Sequence, residues 1–298
     1  MSNTLPTLSS NVQPSITVGI PFYQSSNIAH FRAAIDSILW QSLPAKEIHL
    51  IQDGSVSKTL EEIVKEYTAN YSHIKHLLIS QNMGLAHALN ISILNSSSKY
   101  YARMDSDDIA HPERLSKQID FLESNLHIDI LGTWAFVFED EFPSENCSIR
   151  IMPVLNNEIH ELFHYQNPLI HPSVMFRRSV FAKIGLYNVE FRLEEDLELW
   201  ARALKMRVGI SNLSEPLLYY RNIGVLARRS AGLGQQIKAR YRYNTLSPKL
   251  NILKVMSLLF RILPYKMQVW GYKKFKKESN FHKDAHDFLV KSKSNIYN

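Results

Sequence analysis

The chain is constrained most by an alternation. Short apolar, β-branched runs recur between longer segments of helical periodicity, and each run stops at polar or acidic residues. Residues 16–22 (ITVGIPF) read as a buried strand. A helix follows, with Asn27 as its cap and Ile28, Phe31, Ile35, Ile38 and Leu39 on one face. A second strand at 48–51 stops at the turn signal Asp53-Gly54-Ser55. Helices over about 58–69 and 84–95 flank a strand at 74–79. The run 100–104 leads into Asp105-Ser106-Asp107-Asp108, and Pro112 stands where the first turn of a further helix is expected.

Such β-α-β-α order predicts an α/β fold: a mainly parallel sheet with helices on both faces. Ligands of such sheets bind beyond the carboxyl ends of the strands. Tyr23, Asp53 and the cluster 105–108 all fall at those ends. They are far apart in sequence, yet the pattern gathers them at one rim.

Charge divides the chain. The net charge is +6, but residues 226–298 hold 16 Lys+Arg against 3 Asp+Glu, while residues 1–225 hold 18 against 25. A boundary near 225 follows. We read 1–14 as a disordered lead, 15–225 as one α/β domain and 226–298 as a basic helical segment. The lead lacks the basic start and apolar run of a secretory signal. No apolar stretch approaches the roughly 18 residues that span a bilayer. A single cysteine, Cys147, excludes an internal disulfide framework. These features predict a cytoplasmic chain.

Two carboxylates spaced D-x-D at a strand end suit a hard divalent cation, Mn²⁺ or Mg²⁺, which takes oxygen ligands and shares its shell with substrate phosphates. A diphosphate leaving group needs that charge as its bond breaks. The same acidic residues before Pro112-Glu113 could instead favour a helix N-terminus. On the cluster alone both readings stand.

The neighbouring segments carry a resemblance. In order they are ITVGIPFYQ, SILWQSLP, IHLIQDGS, NMGLAHALN, YYARMDSDDIAHPERLSKQIDFL, HPSVMFRRSVFAKIGLYN and EEDLELWARAL. Together they resemble the family 2 glycosyltransferases, of GT-A fold, over about 70% of the chain, residues 15–221 of 298. The version ARMDSDDIAHPERL with HPSVMFRRS is most similar to enzymes of surface-polysaccharide (O-antigen and capsule) assembly, which extend a sugar on a polyprenyl diphosphate.

The resemblance implies roles. Pro21 and Tyr23 would meet the nucleotide base and Asp53 its uracil. Asp105 and Asp107 match the D-x-D pair, with Asp107 the direct metal ligand. Asn82 and Gly84 would lie near the nucleotide, although Asn82 could instead cap the next helix. Asp196 matches the catalytic base, with Glu195 as its alternative, in an inverting displacement. Those acidic residues could also simply begin a helix. His171 reads as an acceptor or diphosphate contact, or as part of a turn. Arg103 and Arg177 read as phosphate binders or as surface arginines. Two departures stand out. Gln52 replaces the first of two aspartates common before Gly-Ser, and Ile223 stands where relatives often carry histidine. The Q/R-x-x-R-W motif of processive synthases is missing, which predicts one sugar per acceptor. The implied donor is an α-linked UDP-hexose, glucose or galactose. The implied product is a β-1,3 linkage to an N-acetylhexosamine on polyprenyl diphosphate.

In the tail, Asn251, Lys254, Ser257 and Arg261 share one helical face, and the other face is apolar. Pro264 should end or kink this helix. Trp270, Tyr272 and Phe275 then mix with Lys273, Lys274, Lys276 and Lys277. This pattern suits the anionic inner surface of the cytoplasmic membrane. The alternative is a helix packing its apolar face on the catalytic domain, with a solvated basic face. Two other function classes compete. A nucleotidyltransferase should carry a glycine-rich basic loop after the first strand, which PFYQSSN lacks. A binding module driven by the basic tail, for nucleic acid or membrane, leaves the acidic first part unexplained. No nucleic-acid partner is expected.

Overall fold

A computed structural model describes residues 15–138, 147–222, 232–264, 266–268 and 270. Strand β1 (Ile16–Phe22) is buried at all seven positions. A run with no polar alternation has no face to give to water, so it belongs in the middle of a covered sheet. It lies there, parallel to β2 (Glu47–Asp53) on one side and β4 (Tyr100–Arg103) on the other. Strand β3 (Ile74–Ile79) adds parallel to β2. It is the outer strand, so Leu78 stays exposed.

Helices α1 (Ile28–Leu39), α2 (Lys58–Asn70) and α3 (Leu85–Asn95) make the crossovers. The Asn27 side chain accepts from the His30 N–H and caps α1; Ser57 does the same for α2 from Leu60. Phe31, Ile35 and Ile38 are buried on α1, whereas Ile28 is exposed. Asn82 does not cap α3. Gly84 takes the cap position at φ +91°, and the Asn82 amide donates instead to the Asp53 carbonyl at 3.2 Å.

The acidic cluster does not cap a helix either. Strand β5 (Ile109–Ala110) and a turn at Pro112-Glu113 separate it from α4 (Arg114–Ser124), so the helix starts two residues beyond the proline. The remaining elements are β6 (Ile130–Phe138), β7 (Ser148–Arg150), α5 (Asn156–Phe163), a 3₁₀ turn at His171–Ser173, β8 (Met175–Arg177), α6 (Val180–Ile184), α7 (Glu195–Lys205), β9 (Ile210–Arg221), α8 (Leu233–Arg240) and α9 (Pro248–Phe260).

The strand order is β3-β2-β1-β4-β8-β6-β9-β5, with β7 on β6. The first four strands are parallel, as expected, but β8 runs antiparallel to both β4 and β6. The sheet also curls. Five residues, 104–108, separate β4 from β5, a reach of about 20 Å, yet β5 pairs with β9 at the far end of the order. Register shifts between β6 and β9, from Thr133 to Phe136, supply the bend.

Helices cover both faces. Phe31, Ile35, Leu60, Val64, Leu115 and Leu122 pack on one; Leu89, Phe163, Leu197, Trp200 and Leu204 pack on the other. Residues beyond 232 join this core: Ala239 of α8 is fully buried in it, and the Arg242 guanidinium meets Glu198 of α7 at 2.6 Å. Helix α9 ends at Phe260, and a short turn leads to Pro264. The expected lead at 1–14, the boundary near 225, Ile223, Tyr272, Phe275 and the lysines from 273 to 277 lie outside the described residues.

The start of β9 has no room for a side chain. A Cβ at Gly209 would stand 1.9 Å from the His127 carbonyl oxygen, which is backbone and cannot step aside. Gly209→Ala is expected to destabilise the protein by about 1–3 kcal/mol. Urea unfolding checks this; a change near zero would contradict the close approach.

Candidate active site

The candidate site begins where β1 and β4 part. Their pairing runs from Ile16↔Tyr100 to Gly19↔Arg103, and the Met104 N–H to the Gly19 carbonyl is a final bond. Beyond it β1 is bonded on the β2 side only, where Pro21 lies opposite Ile51. A proline, which lacks an N–H, is tolerated at such a one-sided position. Tyr23 follows and is 48% exposed. Such a parting of strands is where α/β sheets leave a crevice.

Asp53, the last residue of β2, is buried. Its two carboxylate oxygens accept the backbone N–H groups of Met83 and Gly84 at 2.7 and 2.8 Å. It therefore fixes the β3–α3 loop. Gly54 at φ +85° permits this, since a Cβ there would meet the Asn82 nitrogen at 2.8 Å. Gln52, the departure from the family pattern, donates to the Gly54 carbonyl and meets His76.

Beyond β4, one carboxylate oxygen from each of Asp105, Asp107 and Asp108 lies within 4.8 Å of the others. Asp108 is fully buried. Its Oδ1 accepts the Arg221 backbone N–H at 2.8 Å, and its Oδ2 has no partner among the described residues. Burial, then the Asp105 and Asp107 charges, push its carboxyl well above the usual range. Three crowded carboxylates with an unsatisfied buried oxygen are a donor set that suits a hard cation. The Ser26 and Ser106 hydroxyls, 3.4 Å apart, tie the loop after β1 to this cluster.

Arg103 stands at the centre and is only 2% exposed. Its Nη2 meets Asp105 Oδ1 at 2.6 Å, while Nε and Nη1 have no partner among the described residues. It is not the surface arginine that one sequence reading allowed. Arg114 of α4 donates to the Arg103 carbonyl at 2.8 Å and fixes the strand end.

A second carboxylate pair lies within electrostatic reach of the same guanidinium. Glu194, at φ 63°, turns the chain into α7, which opens with Glu195 and Asp196. Asp196 Oδ2 accepts from Asn167 at 2.6 Å, and Oδ1 from the Leu197 N–H at 2.6 Å. Burial, then Asp196, raise the Glu195 carboxyl to about 8; burial, then Glu194, raise Asp196 to about 6. The Arg103 charge opposes both shifts. His171 Nε2 pairs with the Tyr187 hydroxyl at 2.9 Å. Burial, aided by Arg103, lowers the His171 pKa, so the ring is neutral and its 3.9 Å approach to Glu195 is no ion pair.

Thus Asp105 pairs with Arg103, and Asp108, His171, Glu195 and Asp196 are near enough to feel its charge, with Asp107 in the cluster of Asp105 and Asp108. Asp53 and Tyr23 end the adjoining strands. Arg177 does not join them. It pairs across from Tyr100, at the opposite end of β4. Its guanidinium is spent on the Ile128 and Leu122 carbonyls and the Tyr100 hydroxyl, and it lines a separate cavity of about 620 Å³. The expectation of a phosphate or acceptor contact from Arg177 is corrected: two backbone carbonyls and the Tyr100 hydroxyl take its guanidinium. Sequence reasoning missed Asn167 and Tyr187. Tyr187 lies in a quoted family segment, but Asn167 has no motif, and its contact with Asp196 spans 29 positions.

The glycosyl transferase family 2 model matches residues 17–185, more than half of the chain. The chain belongs to this family. The transferase is 34% identical over 255 residues to the bifunctional glycosyltransferase pgtA of Dictyostelium discoideum, matching 71% of this chain but only 33% of pgtA, a third of its length. It is 28% identical over 268 residues to the Escherichia coli UDP-Gal:alpha-D-GlcNAc-diphosphoundecaprenol beta-1,3-galactosyltransferase, over 88% of this chain and 96% of that one. Among solved structures, residues 1–349 of S. aureus TarS in complex with UDP-GlcNAc match with a TM-score of 0.59 at 17% identity, over 90% of this chain and 75% of that one. This likeness gives the transferase the GT-A fold, with its curled mixed sheet flanked by helices.

The raised carboxyl at Glu195 carries a stability cost with a definite sign. The folded state keeps a proton that the unfolded chain releases near pH 4.3, so stability falls as pH rises from there toward about 8. Glu195→Gln is expected to be more stable than the wild type at pH 8, by on the order of 2 kcal/mol, with the gain shrinking toward pH 4. Urea unfolding at the two pH values checks this; equal differences at both would contradict it.

Proposed function

We propose that this transferase moves a hexose from a UDP-sugar to a saccharide acceptor by a single inverting displacement. The observation that carries the proposal is the pair of carboxylate groups, 105–108 and 195–196, set around the buried Arg103 at the carboxyl rim of the sheet. A leaving nucleoside diphosphate needs positive charge, and an attacking hydroxyl needs a base. The two groups match those needs separately.

In this reading Pro21 and Tyr23 form a platform for the base. Asp53 keeps unused lone pairs for a base N–H while it braces Asn82 and Gly84 beside the nucleotide. Asp107 and Asp105, with Asp108 behind them, would hold Mn²⁺ or Mg²⁺. That ion would neutralise charge on the departing diphosphate. Arg103 would add a fixed positive charge and two further N–H donors.

Asp196 takes the proton of the attacking hydroxyl. Its carboxyl, raised to about 6, is ionised at neutral pH and more basic than an ordinary aspartate. Asn167 and the Leu197 N–H hold it in one orientation. Glu195, raised to about 8, keeps its proton at neutral pH and serves as a donor. His171 and Tyr187 offer neutral contacts to the acceptor. Displacement from an α-linked donor gives a β linkage.

The similarity to a transferase named for a diphosphoundecaprenol-linked sugar supports an acceptor on polyprenyl diphosphate, in surface-polysaccharide synthesis. Glucose or galactose delivered to the 3-hydroxyl of an N-acetylhexosamine is the favoured case, one sugar per acceptor. The work would take place at the inner face of the cytoplasmic membrane. Among the described residues no helix is long and apolar enough to cross it.

Calorimetry with UDP and Mn²⁺, paired with a transfer assay, tests these roles. Asp107→Ala is expected to lose metal-dependent UDP binding. Asp196→Asn should bind UDP within about twofold of the wild type and lose transfer by about 10²–10⁴-fold. Wild-type transfer by Asp196→Asn would remove Asp196 from the mechanism.

A further inference from the structure

Helix α9 is packed inside out. A helix on a water-soluble protein turns its apolar stripe to the core and its charges to solvent. Here the buried side carries Lys254, only 1% exposed, beside a single buried apolar residue, Leu258. The Lys254 ammonium donates to the Arg240 and Tyr243 carbonyls and to Asn244 Oδ1 at 3.2, 3.3 and 3.2 Å. One turn later Ser257 donates to the Lys254 carbonyl, and the half-buried Arg261 meets Glu194 at 3.0 Å. The outward side carries Ile252, Val255, Met256, Leu259, Ile262 and Leu263, each between 37% and 66% exposed. Most of the apolar face is therefore turned away from the catalytic domain, with Leu258 as the buried exception.

We infer that this outward face lies in the surface of an anionic bilayer. Charge selects that occupant. Described residues from 232 to 270 include seven Lys or Arg and no Asp or Glu, and a further 28 residues, 271–298, hold seven more Lys against three acidic residues. Lys238, Lys249 and Lys266 are exposed. A second copy docking here would bring two such basic segments together. An apolar stripe flanked by lysines suits lipid tails and anionic headgroups at once. At 13 residues, α9 is about 20 Å long, enough to lie along a surface and too short to cross it.

The contact also orients the site. Glu194 directly precedes Glu195 and Asp196, so the Arg261–Glu194 pair ties the membrane-facing helix to the start of α7. The inference deepens the lipid-linked acceptor and rests on that reading for its purpose: the acceptor hydroxyl would meet the proposed base close to the bilayer.

Flotation of the full chain with vesicles tests it, using phosphatidylglycerol–phosphatidylcholine mixtures against phosphatidylcholine alone. The wild type should bind the anionic vesicles at least tenfold more tightly. The triple variant Met256→Glu/Leu259→Glu/Ile262→Glu should lose that binding by tenfold or more while keeping its thermal midpoint and UDP·Mn²⁺ affinity. Leu126→Glu, a substitution of an exposed leucine after α4, should bind like the wild type. The inference fails if the wild type ignores anionic vesicles or the triple variant still binds them. It fails also if light scattering shows a dimer that the triple variant dissolves. Vesicle binding without any sugar transfer would count against the proposed reaction alone.

Discussion

A guanidinium buried at the end of a central strand organises this molecule. Water cannot solvate Arg103, and removing a charge from water costs several kcal/mol unless partners replace the lost solvation. Asp105 is its direct partner. Asp108, Glu195 and Asp196 are near enough to feel its charge, and they come from two stretches of chain some 90 residues apart. The carboxylates in turn crowd one another and are raised by burial. Neither charge could be buried there without the other. Two guanidinium nitrogens and one Asp108 oxygen still lack partners among the described residues. Buried polar groups left in that state call for an ion, a water or a ligand to complete them.

Much of this was legible in the sequence because it rests on local pattern. The all-apolar run of β1, the Asn27 cap and the acidic cluster after β4 all fall where periodicity and turn chemistry put them. The order of these parts put Tyr23, Asp53 and the cluster at the carboxyl ends of neighbouring strands. What escaped depends on distant partners. Pro112 looked like a helix start, but pairing with β9 captured Ile109-Ala110 and moved the helix two residues on. Arg177 looked available to phosphate, but antiparallel pairing with β4 turned it toward backbone carbonyls. Asn167 carries no local signal at all, and only its 2.6 Å contact with Asp196 reveals it.

The C-terminal helices show the same division between pattern and partner. The face of Asn251, Lys254, Ser257 and Arg261 was visible as a stripe. Its direction was not, because hydrophobicity alone sends the apolar side inward. The buried carbonyls at 240 and 243 reverse that choice by offering Lys254 acceptors that water would otherwise supply. An outward apolar face and an inward salt bridge to Glu194 then make the helix a coupling between a surface and a site.

The account stands or falls on whether the two carboxylate groups address one donor molecule. A crystal structure with UDP and Mn²⁺, read by anomalous scattering at the manganese edge, measures this directly. The account predicts one manganese peak bonded to an Asp107 carboxylate oxygen and to the UDP diphosphate, with the open side of the diphosphate facing Asp196. A manganese ion held away from residues 105–108, or a diphosphate lying on the far side of the sheet from Asp196, would contradict it.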